Sequence, residues 1–216
     1  MLLQWGASNV TGVDVSEAMV RAANESMAEW IKKGRFSARV GDGMVPKKYF
    51  RNDEEGFDLV FGVWFLNYAG SGEEMSNMWR TISMNLKPGG VFVGMTPGPS
   101  DDLQCFQEEQ NGLGRELGVE MEYVKELDNR EGWRTHIRGV GKGEREGEVV
   151  EFDNFHLKKS VYEEAARQGG MKGNMEWRAV ALPETEEQRA TFAVQDWVWD
   201  VVMKAPYFTI VVAKPS

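Results

Sequence analysis

The chain has 216 residues, 42% of them hydrophobic and 27% charged. That is enough apolar material to bury the core of one sizeable domain, too little length for two ordinary ones, and not the composition of a disordered chain. The formal net charge of −9, with no run of Lys and Arg, argues against DNA or RNA as partner and suits a small neutral or cationic molecule better.

Met1 to Gly6 reads as the end of a helix, with Leu2, Leu3 and Trp5 apolar and Gly6 where a C-cap would stand. Asn9 to Val15 then predicts a short buried strand closing on an acid, Asp14. Ser16 is a good N-cap, and Met19, Ala22, Ala23, Met27 and Trp30 follow at helical spacing until Gly34. A strand from Phe36 to Val40 runs into Gly41-Asp42-Gly43, and another from Phe57 to Val63 is almost continuously apolar, as a strand covered on both faces would be. Gly72 to Leu86 predicts a helix, Lys87-Pro88-Gly89-Gly90 a sharp turn, and Val91 to Met95 a further strand. Strand and helix thus alternate with short connections over the first hundred residues, the pattern of a parallel, doubly wound α/β sheet.

The middle of the chain changes character. Val119–Leu127, Trp133–Arg138 and Glu148–His156 alternate or half-alternate between turn residues and predict three antiparallel strands, with Gly139–Gly147 as a hairpin tip. A helix is expected from Lys159 to Gln168, a strand around Met175–Ala181, a helix within Glu184–Met203 and a last apolar strand at Tyr207–Ala213. The expected organisation is one domain: a cofactor-binding part (1–96), an inserted antiparallel cap (119–157) and a C-terminal helix–strand–helix–strand (158–216). Cys105 is the only cysteine, so neither an intrachain disulfide nor a thiolate metal cluster can form. No stretch reaches the ~18–20 apolar residues of a membrane span and no leader pattern opens the chain, so the expectation is a soluble cytoplasmic protein with no metal.

In an open α/β sheet, ligands bind beyond the carboxyl ends of the strands. Asp14 closes the first strand, and a carboxylate there can accept both hydroxyl hydrogens of a ribose; the plain alternative is an acid opening a helix. Asp42 closes the second, where it can accept from an exocyclic amine while Gly43 lets a flat base approach the backbone, unless the pair is a simple Asp-Gly turn. The third strand runs into Gly62-Val63-Trp64-Phe65-Leu66-Asn67-Tyr68, an aromatic cluster able to wall off a reacting centre. Phe65 and Leu66 need no ligand to explain them, which leaves Trp64, Asn67 and Tyr68 as the pocket candidates.

Taken together, these segments resemble the class I S-adenosylmethionine-dependent methyltransferases, in particular their small-molecule, ubiquinone- and menaquinone-biosynthesis-like branch. The resemblance rests on Val10–Ser16 with Met19, on Gly41-Asp42-Gly43, on Phe57-Asp58-Leu59-Val60 and on Leu86-Lys87-Pro88-Gly89-Gly90. It covers residues 1–96 best, and the end of the chain looks like that family's closing antiparallel hairpin. It implies a Rossmann-like fold with S-adenosyl-L-methionine as cofactor. Asp14 and Val15 would hold the ribose, Asp42 and Gly43 the adenine, and Gly62, Val63 and Trp64 the methionine portion. The family's acid lies about 20 residues after a glycine-rich loop, and counting back from Asp14 runs off the start of the sequence. The expectation is therefore a fold lacking the family's first strand and glycine loop, with two sheet edges unpaired and a dimer or partner covering them.

The inserted strands sit where this family often grows a cap over the substrate. Trp133 and Phe155, with Asn67 and Tyr68, are the candidate substrate contacts, which suggests a hydrophobic, ring-bearing acceptor. His156 could serve as a general base towards a hydroxyl, against the plainer reading of a core or surface histidine. Methyl transfer needs little from side chains beyond alignment and exclusion of water. Two other readings stand beside it: a non-catalytic relic or partner-binding protein that keeps the shell of the fold, and a nicotinamide-dependent oxidoreductase, since an acid at a strand end also fits NAD.

Overall fold

The computed structural model describes residues 2–50, 55–104, 106–107, 119–141, 147–173, 175–180, 183–190, 199 and 208–214. Cys105, the tip residues 142–146, Ala181 and most of the expected C-terminal helix lie outside them.

Leu2 to Gly6 form one turn, closed by Ala7 N–H donating to Leu2 O at 3.1 Å, with Gly6 at φ +99°. Strand β1 (Val10–Asp14) pairs in parallel with β2 (Phe36–Val40), Val10 opposite Phe36 and Asp14 opposite Val40. The two strands end level, so the segments that follow them emerge side by side, and Gly41 N–H donates to Asp14 O at 3.0 Å. Between them run α1 (Glu17–Ser26) and α2 (Ala28–Lys32). Ser16 caps α1 by accepting from Met19 N–H at 3.3 Å, a contact worth about 1 kcal/mol. The helix turns Val20, Ala23 and Met27 inward, while Met19 is exposed.

Strand β3 (Phe57–Val63) pairs in parallel with β4 (Leu86–Pro97), and α3 (Gly72–Asn85) connects them. The expected turn at 87–90 is a looped-out step inside β4: the ladder passes from Leu86 to Val91 while β3 advances from Phe57 to Leu59. Gly89 makes the reversal at φ +78°, where a side chain would be strained. Beyond β4 the sheet turns antiparallel through β9 (Phe208–Ala213) and then β8 (Glu176–Ala179), giving the order β3-β4-β9-β8. A separate antiparallel sheet holds β5 (Val119–Glu126), β6 (Gly132–Val140) and β7 (Val149–Leu157). Helix α4 (Lys159–Gln168) follows it, and α5 (Glu186–Ala190) precedes β9.

The parallel strands form two pairs, and β1 and β3 each keep one edge without a ladder partner among the described residues, the two unpaired edges that the sequence reading expects. One feature differs from that reading: β3 is covered on one face only. Leu59, Phe61 and Val63 are 42–53% exposed, while Val60, on the other face, packs against the core. The core lies between that face of the four-stranded sheet and helices α3 and α4, with Trp79 set edge-on to Phe92 at 5.0 Å. Both rings are fully buried, and truncating either would cost about 3–5 kcal/mol.

Candidate active site at the strand ends

The carboxyl ends of β1, β2 and β3 carry Asp14, Gly41-Asp42-Gly43 and Gly62–Trp64. Asp14 spends one oxygen on its own turn, Oδ1 accepting from Ser16 N–H at 2.8 Å. The residue is exposed, and among the described residues its other oxygen has no partner. That leaves one acceptor free at a strand end, opposite the residue that leads into the next loop. Val15, beside it, is 72% exposed. Asp42 repeats the arrangement, Oδ1 accepting from Met44 N–H at 2.8 Å with the side chain open to solvent. Tyr49 lies against this loop, its hydroxyl donating to Asp42 O at 3.4 Å. Burial, and then the Asp42 charge, push the Tyr49 hydroxyl above its usual range.

Gly43 and Gly62 are brought together by Phe65. A Cβ on Gly43 would overlap the Phe65 ring, and one on Gly62 would stand 3.1 Å from Phe65 Cβ and 3.2 Å from Phe92. The two glycines thus open a recess between the ends of β2 and β3, and the ring occupies it. Sequence reasoning set Phe65 aside as core; nothing in its spacing marks it as the residue on which two strand ends converge. Trp64, immediately before it, holds φ +59° and donates its N–H to Met95 O at 3.0 Å. For a bulky residue this left-handed conformation costs on the order of 1–3 kcal/mol, and such strain gathers at functional sites.

Asn67 is buried in the turn Leu66–Tyr68. Its Nδ2 donates to Phe155 O at 3.1 Å, and among the described residues its Oδ1 has no partner. Tyr68 is half exposed, its ring stacked on Phe152 at 6.4 Å and 24°. Phe155 lies over Gly70, where a Cβ would stand 3.1 Å from its ring, and packs on the core edge. Trp133 sits edge-on to Tyr123 at 6.4 Å.

His156 is placed differently from what a general base requires. It is buried, Nδ1 2.7 Å from the Tyr123 hydroxyl and Nε2 3.0 Å from Gly98 O. A carbonyl can only accept, so Nε2 carries the proton and Nδ1 accepts from Tyr123. Burial holds the ring neutral, with its pKa down at about 4. Both nitrogens are occupied and neither meets solvent, so as placed the ring ties the cap strand β7 to the segment after β4. His136, the other histidine, faces Asp153 at 2.8 Å on the half-exposed outer side of the cap.

The arrangement places acids at two successive strand ends and an aromatic segment after the third, where open α/β sheets carry their ligands. Residues 1–90 match the methyltransferase domain family. No curated protein matches the chain. Among solved structures, an S-adenosylmethionine-dependent methyltransferase from Clostridium acetobutylicum shares the fold at a TM-score of 0.55 and 15% identity, over 96% of this chain and 75% of that one. The CcbJ methyltransferase from Streptomyces caelestis gives 0.54 at 17% identity, over 96% and 80%. The glycopeptide N-methyltransferase MtfA, solved with S-adenosyl-L-homocysteine, gives 0.55 at 14%, over 100% and 75%. The fold is therefore that of these methyltransferases, and the family match falls on the part of the chain that carries Asp14, Asp42 and Gly62–Tyr68. No helix among the described residues is long and apolar enough to cross a membrane.

Proposed function

We propose that the protein is a class I methyltransferase that takes S-adenosyl-L-methionine as cofactor and methylates a small organic acceptor. The observation that carries this is the free carboxylate oxygen of Asp14, at the end of β1 and opposite the strand that leads to Asp42, within the segment that matches the methyltransferase domain family. In this reading Asp14 takes the ribose diol, Asp42 and Gly43 the base, and the recess between Gly43 and Gly62 accepts the cofactor once Phe65 swings aside. The cofactor supplies an electrophilic methyl group; the protein orients the acceptor and excludes water. Asn67, Tyr68, Trp133 and Phe155 border the acceptor side. His156 acts by holding the cap in place, and any base acting on the acceptor lies elsewhere.

A further strand laid between the free edges of β1 and β3 would unite the two parallel pairs into one sheet and supply a glycine loop for the cofactor. The same edges, with Leu59, Phe61 and Val63 exposed beside them, favour one second reading: a shell that binds a protein partner, or a second copy, and no cofactor. The antiparallel β9 beside β4 and the family match count against a nicotinamide-dependent oxidoreductase.

Calorimetric titration of S-adenosyl-L-homocysteine separates the readings. It is run on the chain, on Asp14→Ala, and on a version with a strand and Gly-x-Gly loop fused ahead of β1. Saturable binding by the chain or its extended form, weakened by about 1–3 kcal/mol in the matching Asp14→Ala variant, supports methyl transfer. Binding by neither form overturns it and leaves the partner-binding reading.

A further inference from the structure

The cap sheet has two unlike faces, set by the register of its three strands. Residues paired across an antiparallel ladder share a face. One face carries the rows Glu120–Arg138–Glu151, Glu122–His136–Asp153 and Lys125–Arg134–Phe155. Its charges pair with one another, Arg138 to Glu151 at 3.0 Å and His136 to Asp153 at 2.8 Å, as a solvated face does.

The other face carries Val119–Gly139–Val150, Met121–Ile137–Phe152, Tyr123–Thr135–Asn154 and Glu126–Trp133–His156. At one end this face is buried. His156 bonds the Gly98 carbonyl and meets the Phe106 ring edge-on at 5.1 Å, so the face lies over the segment that follows β4. At the other end it is open: Val119 and Val150 are exposed, and Phe152 is 40% exposed. Gly139 leaves the middle of its row without a side chain; a Cβ there would meet only Val150 O, at 3.8 Å. From the open end Phe152 stacks on Tyr68, which is itself 48% exposed and belongs to the turn after β3. Two half-exposed rings, 84 positions apart in the chain, therefore lie nearly parallel at the rim of the strand ends.

We propose that the Tyr68–Phe152 ring pair is the specificity determinant for the acceptor and selects a flat, uncharged ring, which stacks on the exposed side of the pair with its edge over Gly139. This rests on the methyltransferase reading for the reaction, but the ring site itself stands on the cap geometry. A flat aromatic surface gains most from a flat partner, because only then do both faces come into full contact. Among the described residues the charged rows are on the far side of the sheet, and the one acid on the platform's own face, Glu126, stands in the row farthest from Gly139. Trp133 continues the platform's own face towards its buried end, and Phe155 lies on the opposite face, packed on the core edge.

The test uses 2-naphthol and its saturated counterpart decahydro-2-naphthol as probes, which share a carbon skeleton and differ in flatness. Binding is followed by ligand-observed NMR titration on the full chain and on Phe152→Leu, Phe152→Ala and Tyr68→Phe. The proposal expects saturable 2-naphthol binding, several-fold weaker binding of the puckered probe, and near-native binding by Tyr68→Phe. Both Phe152 variants should lose about 3- to 10-fold, the worth of an aromatic contact. Phe152→Leu keeps apolar bulk without the flat face, so it decides the matter if the alanine variant does not fold. Equal affinity for the two probes, or native affinity in Phe152→Leu, overturns the proposal. S-adenosyl-L-homocysteine titrated into the same samples keeps the two readings apart: 2-naphthol binding that weakens in both Phe152 variants, with no cofactor binding anywhere, would retain the platform and remove the methyltransferase.

Discussion

The Tyr123 hydroxyl donates to Nδ1 of His156 across 2.7 Å, deep in the cap and out of solvent. With Nε2–H given to Gly98 O, the imidazole is satisfied on both sides as a neutral ring and has to stay neutral for the fold to hold.

That requirement fixes a pH dependence. The pKa of His156 falls from about 6.5 when unfolded to about 4 when folded, so between these values the unfolded chain binds the extra proton. The stability contributed by the neutral ring is complete above about pH 6.5 and is lost as pH falls towards 4. Urea unfolding at pH 7 and pH 4.5 should differ by about 2–3 kcal/mol more in the native chain than in His156→Gln. Equal pH slopes in the two proteins would show that the histidine is not buried as a neutral anchor. The substitution itself, by disturbing the bonds to Tyr123 and Gly98, should cost about 2–4 kcal/mol at pH 7.

Gly43 tests the recess at the strand ends. It does not lie in the left-handed region, so a side chain there is opposed by the Phe65 ring and not by its own backbone. Gly43→Ala should destabilise by about 1–3 kcal/mol, and Phe65→Leu in the same chain should return much of that. Thermal or denaturant unfolding of the double-mutant cycle should give a coupling of about 0.5–3 kcal/mol. Additive effects would mean that the ring and the glycine do not meet.

Asn85, at the end of α3, holds the link between β2 and β3. Its Oδ1 accepts from Tyr49 N–H, and its Nδ2 donates to the carbonyls of Lys47 and Thr81, each at 2.7 Å. Asn85→Ala would strip three backbone groups of their partner in a buried place, at about 2–4 kcal/mol in urea unfolding. A cost under about 0.5 kcal/mol would show the clasp to be dispensable.

The local structure was largely legible. Phe36–Val40, Phe57–Val63 and Lys159–Gln168 run between the residues that their patterns predict, because Gly, Pro and capping residues bound each of them. Ser16 caps its helix as its position implies. What depends on distant neighbours was not legible. An apolar run such as Phe57–Val63 reads the same whether one face is covered or two. The fate of His156 depends on Tyr123 and Gly98, 33 and 58 positions away. Phe65 could be weighed only once Gly43 and Gly62 were seen to converge on it. The unlike faces of the cap needed the register, since the bulge between Tyr123 and Lys125 shifts every later pairing by one residue.

The one-sided core has a consequence for how the molecule opens. None of its fully buried members comes from residues 10–40, and that segment buries a single hydrophobic side chain, Val20. The lobe of β1, α1, α2 and β2 is therefore a separate cooperative unit, moored through the 44–50 segment and Asn85, and can unfold while α3, α4 and β4 remain shut. Amide protons of Val10–Val40 exchange through that smaller opening and those around Trp79 only when the whole chain comes apart. Asp14 lies on that less stable lobe and Asp42 in the loop that leaves it, so a ligand bound to both would slow exchange there most.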